Sequence, residues 1–277
     1  MTEPRTVLIS GCSSGLGLAL ARRLQGSGWN VYAGIRNPQD ASQLPAGATP
    51  VTLDVTNDEQ VASAVSRIQN ETGRLDALIN NAGVNAIGPW EVVPLETVRA
   101  VMEVNFFGAL RLTRAALPLM RRRAAGTVVM VSSLSSLIGL PGDGVYAASK
   151  FALEGFAESL SHEVKRWNIR VVIANPGGYA TELARKAWRP QRSQAGDYAP
   201  LVDELLSAGA GEGNPDDAAG QIVALLERQQ TDLRNPLDAT ARMVFSVLGF
   251  DRQAERHSLA RNASGLAWWS DGEDKPA

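Results

Sequence analysis

The 277-residue chain has little of what many functional classes require: one cysteine (Cys12), two histidines (His162 and His257) and four lysines. A lone thiol excludes an intrachain disulfide, and so few sulfur and imidazole groups leave no cluster dense enough for a zinc or iron site. No run of about 18 uninterrupted apolar residues reads as a membrane span, and the opening run from Thr6 to Ser10 is too short for a secretory segment. Net charge is also small, with 27 Lys+Arg against 29 Asp+Glu. A chain so balanced lacks the uncompensated cations that draw proteins to nucleic acid or anionic lipid. These absences predict a soluble, cytoplasmic protein with no nucleic-acid partner and no metal.

What is present is an alternation of short apolar runs and longer helix-period segments. The runs at 6–10, 31–35, 51–55, 75–80, 127–132 and 169–175 are rich in Val, Ile and Leu on both faces, so they predict strands covered from both sides. Helical patterns fill 15–27, 58–72, 95–123 and 145–167, and another resumes at 215–229, where Asn214 caps and Pro215 occupies the first turn. Pro118 predicts a kink or an early stop in the third. Such a βαβ rhythm implies an α/β fold with a doubly wound parallel sheet and helices on both faces. With no repeat and no low-complexity linker, residues 1–277 read as a single domain. Residues 177–214, rich in Gly, Pro and Arg, predict a lid or a poorly ordered segment, and Tyr179, Trp188 and Tyr198 within it are candidates to line an apolar pocket. The tail from 251 to 277 is weakly patterned, and its Trp268-Trp269 pair has no assignment.

Immediately after the first run stands SGCSSGLG, with Gly11, Gly15 and Gly17, and a helix pattern follows at once. A diphosphate must approach backbone amides at a helix N-terminus, so the turn needs residues without a Cβ where the chain bends and where the ligand touches. The same residues fit a G-x-S-x-G nucleophile elbow with Ser13 as a hydrolase nucleophile. That alternative needs earlier strands for an oxyanion loop and a well-placed histidine. Only about ten residues precede the motif; His162 lies in a helix pattern and His257 in the weak tail. After the second run come Arg36 and Asn37, with no acid until Asp40. A guanidinium there forks onto a ribose 2′-phosphate, whereas a carboxylate would accept ribose hydroxyls, so NADP(H) is favoured and NAD(H) is the alternative.

Tyr146 and Lys150 lie four apart in a helix pattern, which puts both on one face with Cβ atoms about 5 to 6 Å apart. An ammonium beside a phenol favours the phenolate and so predicts a lowered tyrosine pKa suited to acid/base catalysis. Ser133 ends the fifth run, at the rim where open α/β sheets bind ligands and where its hydroxyl can bond a substrate carbonyl. The fourth run ends in NNAG, and the sixth in PGGYAT.

The set SGCSSGLG, NNAG, Asn105, Ser133, Tyr146-x-x-x-Lys150 and PGGYAT, in this order over residues 5 to 185, resembles the short-chain dehydrogenase/reductase family. GCSSGLG and GLPGDGVYAASKFALEGFAESL further resemble its 17β-hydroxysteroid and retinol dehydrogenase branch. The resemblance implies a Rossmann-type fold and hydride transfer between a nicotinamide and a secondary alcohol or ketone, steroid- or retinoid-like in the branch named. Tyr146 is then the general acid or base, Lys150 its partner and a ligand of the nicotinamide ribose, Ser133 the group that polarises the substrate oxygen, and Asn105 the holder of a relay water. Gly11, Ser13, Gly15, Leu16 and Gly17 match the diphosphate turn, Arg36 the 2′-phosphate reader, and Asp54 and Val55 the adenine contacts. Asn81, Ala82 and Gly83 match the adenosine ribose wall, and Pro176, Gly177 and Thr181 the nicotinamide carboxamide side. Ser10 replaces the Thr usual before the first glycine and keeps the hydroxyl. The family also implies a homodimer or homotetramer. The nonenzymatic rival is a silent, cofactor-binding regulatory module, against which an intact Ser133, Tyr146 and Lys150 argue.

Overall fold

The computed structural model describes residues 3–207, 211–249, 252–255, 258, 269 and 271–273. Its strands are β1 (Thr6–Ile9), β2 (Asn30–Ile35), β3 (Thr49–Thr52), β4 (Ala77–Asn80), β5 (Gly126–Val131), β6 (Ile169–Asn175) and β7 (Arg234–Pro236). The helices are α1 (Gly15–Gly26), α2 (Asp58–Thr72), α3 (Leu95–Met102), α4 (Ala109–Arg123), α5 (Gly144–Val164), α6 (Glu182–Arg185), α7 (Ala199–Ser207), α8 (Pro215–Glu227) and α9 (Ala239–Val247). All strand pairs are parallel, in the order β3-β2-β1-β4-β5-β6-β7. This is the Rossmann-type doubly wound sheet. Strand order reverses between β1 and β4, which opens a crevice beyond their carboxyl ends, where such sheets bind ligands.

Alternation along each strand divides the core between two faces. Val7 and Ile9 pack toward α1 and α8, and Leu8 toward α2, α4 and α5; all three are fully buried. Burying each contributes about 1.5–3 kcal/mol. Helix ends follow from local chemistry. The Asn57 side chain accepts from Gln60 N at 2.9 Å to start α2, and Gly73, with φ 64°, ends it in the left-handed region. Asn214 likewise accepts from Asp216 N at 3.0 Å and Pro215 opens α8, as the sequence predicts.

Several expectations are corrected. The run at 51–55 leaves the sheet early, because β3 ends at Thr52 and Asp54 Oδ1 accepts from Thr56 N at 2.9 Å and Thr56 Oγ1 at 2.7 Å, turning the chain toward α2. Pro118 does not break its helix. It and Arg114, whose carbonyl it deprives of an amide partner, both lie on the solvent-exposed side of α4, where that loss costs less than in the core. The irregularity expected there occurs instead at Glu103–Gly108, a π-helical segment between α3 and α4. Residues 177–214 carry α6, α7 and two short 3-10 turns. The seventh strand has no counterpart in the sequence pattern. Most of the tail, including His257 and Trp268, lies outside the described residues; Trp269 packs edge-on to Trp167 at 5.8 Å between ring centroids. Among the described residues no helix is long and apolar enough to cross a membrane.

Candidate active site

The crevice at the strand-order reversal is a cavity of about 470 Å³. Its floor is the β1–α1 turn, where Gly11, Ser13, Gly15, Leu16 and Gly17 all face the space. Gly17 is there because nothing larger fits: a Cβ would stand 2.1 Å from Gly11 O and 2.6 Å from Asn81 Nδ2. Gly11, at φ +73°, holds a conformation that side chains rarely adopt. Ser10 locks the turn to the end of β4, its Oγ accepting from Asn81 N and Ala82 N, both at 3.0 Å, while Asn81 Nδ2 donates to Ser10 O at 2.9 Å. The retained hydroxyl therefore does the bonding.

This cradle suits an anion. Ser14, the N-cap of α1, makes no side-chain bond to the helix amides, and the first turn carries no acid, so the positive end of the helix faces the cavity undiminished. Arg36 stands exposed at the rim beside Asp54, and Val55 lines the same end. Burial raises the Asp54 carboxyl, but the Thr56 bonds and the Arg36 and Arg111 charges outweigh it and hold the group below the usual carboxylate range. Asn81, Ala82 and Gly83 line one wall; Pro176, Gly177 and Thr181 line the opposite one. Every residue expected to hold a dinucleotide thus borders one cavity, and the backbone donors and glycine spaces fit a diphosphate.

Across the cavity stand Ser133, Tyr146 and Lys150. The stripe of α5 that carries Tyr146 and Lys150 also carries Leu153, Ala157, Leu160 and Val164, so ordinary core burial on that helix aims the polar pair at the end of the sheet. Tyr146 is 6% exposed and Lys150 4%. Lys150 Nζ donates to Val131 O at 2.8 Å and lies 5.5 Å from the centroid of the Tyr146 ring. Burial lowers its pKa to about 8, against the pull of Glu154. The tyrosine does not behave as spacing predicts. Burial pushes its phenol above the ordinary value, a bond with Ser133 partly offsets this, and Asp143 adds to the rise. The hydroxyl is a held proton rather than a phenolate.

Asn105 stands behind the cavity, beside the helix that carries Lys150. It is 1% exposed and lies in the π-helical segment, one step behind the cavity. Its Oδ1 accepts from Val84 N at 2.8 Å, and its Nδ2 donates to Val84 O at 2.9 Å and Ser149 Oγ at 3.0 Å. The side chain thus ties the segment after β4 to α5. Of the three loop aromatics only Tyr179 lines the cavity. Trp188 packs with Val84, Ala86, Val93 and Val145, and the exposed Tyr198 donates to Glu91 Oε2 at 3.0 Å. The hydrolase arrangement is absent among the described residues: Ser13 lines the cavity, but His162 lies twelve residues beyond Lys150 on α5, about 18 Å along the helix.

The residue that sequence patterns missed is Glu154. It is 4% exposed behind the cavity and accepts from Ser132, Ser136, Asn175 and Arg234. Only its spacing, one turn past Lys150 on the stripe that includes Leu153 and Ala157, could have marked it.

A family profile described as short chain dehydrogenase matches residues 5–192. Human retinol dehydrogenase 8 is 45% identical over 194 residues, covering 66% of this chain and 61% of the relative. Human 17-beta-hydroxysteroid dehydrogenase type 1 is 37% identical over 193 residues, covering 65% of this chain and 58% of the relative. The chain therefore spans about three fifths of these relatives' length. A short chain dehydrogenase from Burkholderia cenocepacia J2315, crystallised in complex with NADP, superposes with a TM-score of 0.74 at 30% identity, covering 93% of this chain and 98% of that one.

Proposed function

As the chain belongs to the short-chain dehydrogenase family, in its steroid and retinol branch, we propose that it is an NADP(H)-preferring oxidoreductase acting on a secondary alcohol or ketone of apolar, steroid- or retinoid-like character. The observation that carries this reading is the seating of Ser133, Tyr146 and Lys150 opposite the glycine turn in one cavity.

When bound, the nicotinamide supplies or accepts the hydride. The chain supplies the rest. In carbonyl reduction the oxygen gains negative charge as it is reduced, and the Ser133 hydroxyl donates a hydrogen bond to it. Tyr146 gives up its proton to the same oxygen. Burial raises that phenol's pKa further above neutrality, so the group is protonated and able to act as the acid in reduction, and its conjugate base serves the reverse reaction. Lys150 holds Val131 O and, as a buried cation, steadies the negative charge left on the tyrosine oxygen; its remaining protons are available to ribose hydroxyls.

Arg36 supports NADP(H), since no carboxylate follows β2 to repel a 2′-phosphate, and the Burkholderia structure holds that cofactor. Apolar substrates are supported by Val84, Val104 and Leu183 in the cavity wall, by exposed Ile138 and Leu140 on the loop after Ser133, and by the substrates named for the human relatives. We place the protein in the cytoplasm as one domain that assembles into dimers or tetramers. The test is a panel of sterol, retinoid, long-chain and short polar ketones and alcohols, assayed by nicotinamide absorbance. Turnover of apolar members with NADPH is expected; ester hydrolysis without nicotinamide would replace this reading with the Ser13 one.

A further inference from the structure

Behind the cavity, four elements meet on one buried carboxylate. Glu154 Oε1 accepts from Ser132 Oγ at 3.0 Å, from Ser136 Oγ, and from Asn175 Nδ2 at 2.5 Å; Oε2 accepts from Arg234 Nε at 2.7 Å. Arg234, 5% exposed, also donates to Glu158 Oε2 at 2.9 Å. Its backbone is pinned by Gln253, which accepts from Arg234 N and donates to Arg234 O, both at 2.8 Å. Two of the partners adjoin the functional rim directly: Ser132 precedes Ser133 at the end of β5, and Asn175 precedes Pro176 at the end of β6.

Desolvating a carboxylate and a guanidinium costs several kcal/mol per ion, and a pair of apolar side chains would fill the same space at lower cost. A network this complete therefore calls for a reason beyond stability. We propose that Glu154 is a positioning residue for the Ser133, Tyr146 and Lys150 site: a countercharge one helical turn beyond Lys150 that keeps its ammonium charged and fixes the ends of β5 and β6 around it. Arg234 sets the strength of that countercharge by sharing it. The proposal rests on the catalytic reading of Lys150 given above. Burial disfavours the charged ammonium, and Glu154 opposes that effect. The charged and titratable groups around Lys150 are Tyr146 and Glu154 on α5, Asp143 ahead of the same helix and acting on Tyr146, and Arg234 and Glu158 behind Glu154. The β5 side offers the Val131 carbonyl and the hydroxyls of Ser132 and Ser133.

With only four lysines in the chain, Lys150 can be titrated directly by NMR in protein isotope-labelled at lysine Cε, its resonance assigned from Lys150→Arg. Glu154→Gln should lower the Lys150 midpoint by about one pH unit, Arg234→Met should raise it, and Glu154→Asp should restore much of the parent value. The basic limb of kcat/KM for the ketone, which reports the free enzyme's groups, should move with the resonance while KM for NADPH changes little. A merely structural network would lower stability without shifting the midpoint in opposite directions. An unchanged midpoint in both the Gln and Met variants overturns the proposal, as does a kcat/KM limb that stays in place while the resonance moves. If Glu154→Gln does not fold, Arg234→Met alone decides by the sign of its shift. The titration needs neither substrate nor cofactor, so a protein that reduces no ketone would refute the proposed reaction and leave this assignment to its own readout.

Discussion

Lys150 Nζ donates to the main-chain carbonyl of Val131 at 2.8 Å, which fixes the ammonium at the end of β5, 5.5 Å from the centroid of the Tyr146 ring. The cation thus anchors to the sheet, and the tyrosine it serves stays protonated by burial. In the proposed function Tyr146 is the acid, and Lys150 acts on the charge that appears after the proton has left.

A pH dependence follows from this arrangement. Lys150 has a pKa of about 8, below its ordinary value of 10.5, because burial disfavours the charged form. Below that value it is protonated and the site is competent; as pH rises through it the cation is lost. Ketone reduction should therefore fall on a limb centred near pH 8, whereas loss of the Tyr146 proton, raised by burial, contributes only at higher pH. A kcat/KM profile flat through pH 10 would contradict this.

Gly17 and Gly155 should respond to the same substitution with opposite signs. Gly17→Ala forces a Cβ to 2.1 Å from Gly11 O, so it should cost about 1–3 kcal/mol and abolish dinucleotide binding. Gly155 sits in exposed helix with nothing within 4 Å, so Gly155→Ala should stabilise by about 0.5–1 kcal/mol. Thermal unfolding and calorimetric titration with NADPH read both effects.

Ser10→Ala removes the acceptor for Asn81 N and Ala82 N, two amides held at 3.0 Å. Loss of about 1–3 kcal/mol and weaker NADPH binding are expected, with Ser10→Thr close to the parent because it keeps the oxygen. Chemical denaturation of the three proteins checks the ordering.

Arg36 should decide between the two dinucleotides. A charge-assisted hydrogen bond is worth about 1.5–3 kcal/mol, so Arg36→Ala should weaken NADPH about 10–100-fold and leave NADH nearly unchanged. Arg36→Asp should invert the preference. Equal dissociation constants for both cofactors in the parent protein would remove the role assigned to this side chain.

Much of this was legible in the sequence because buried parallel strands and glycine turns leave local patterns. The helix expected at 58–72 is Asp58–Thr72, and the glycine turn, Ser133, Tyr146 and Lys150 converge as their spacing implies. What was not legible depends on distant partners. β7 is three residues, Arg234–Pro236, placed by pairing with β6 rather than by any apolar alternation. The resemblance marks Asn105, but its bonds to Val84 and Ser149, which tie the segment after β4 to α5, leave no local pattern. Glu154 reads as a surface charge on a helix, since nothing local reveals that Ser132, Asn175 and Arg234 enclose it. The tyrosine pKa was misjudged for a related reason: spacing reveals a neighbouring charge, whereas the extent of burial, which dominates here, is set by the whole fold.

The most direct test is Tyr146→Phe, which removes one oxygen and leaves the ring to pack as before. With NADPH bound and a ketone substrate in excess, single-turnover oxidation of the nicotinamide should slow by about 10²- to 10⁴-fold, while the NADPH dissociation constant stays near that of the parent. Hydride transfer at the parental rate in that variant would contradict the assignment of Tyr146 as the proton donor.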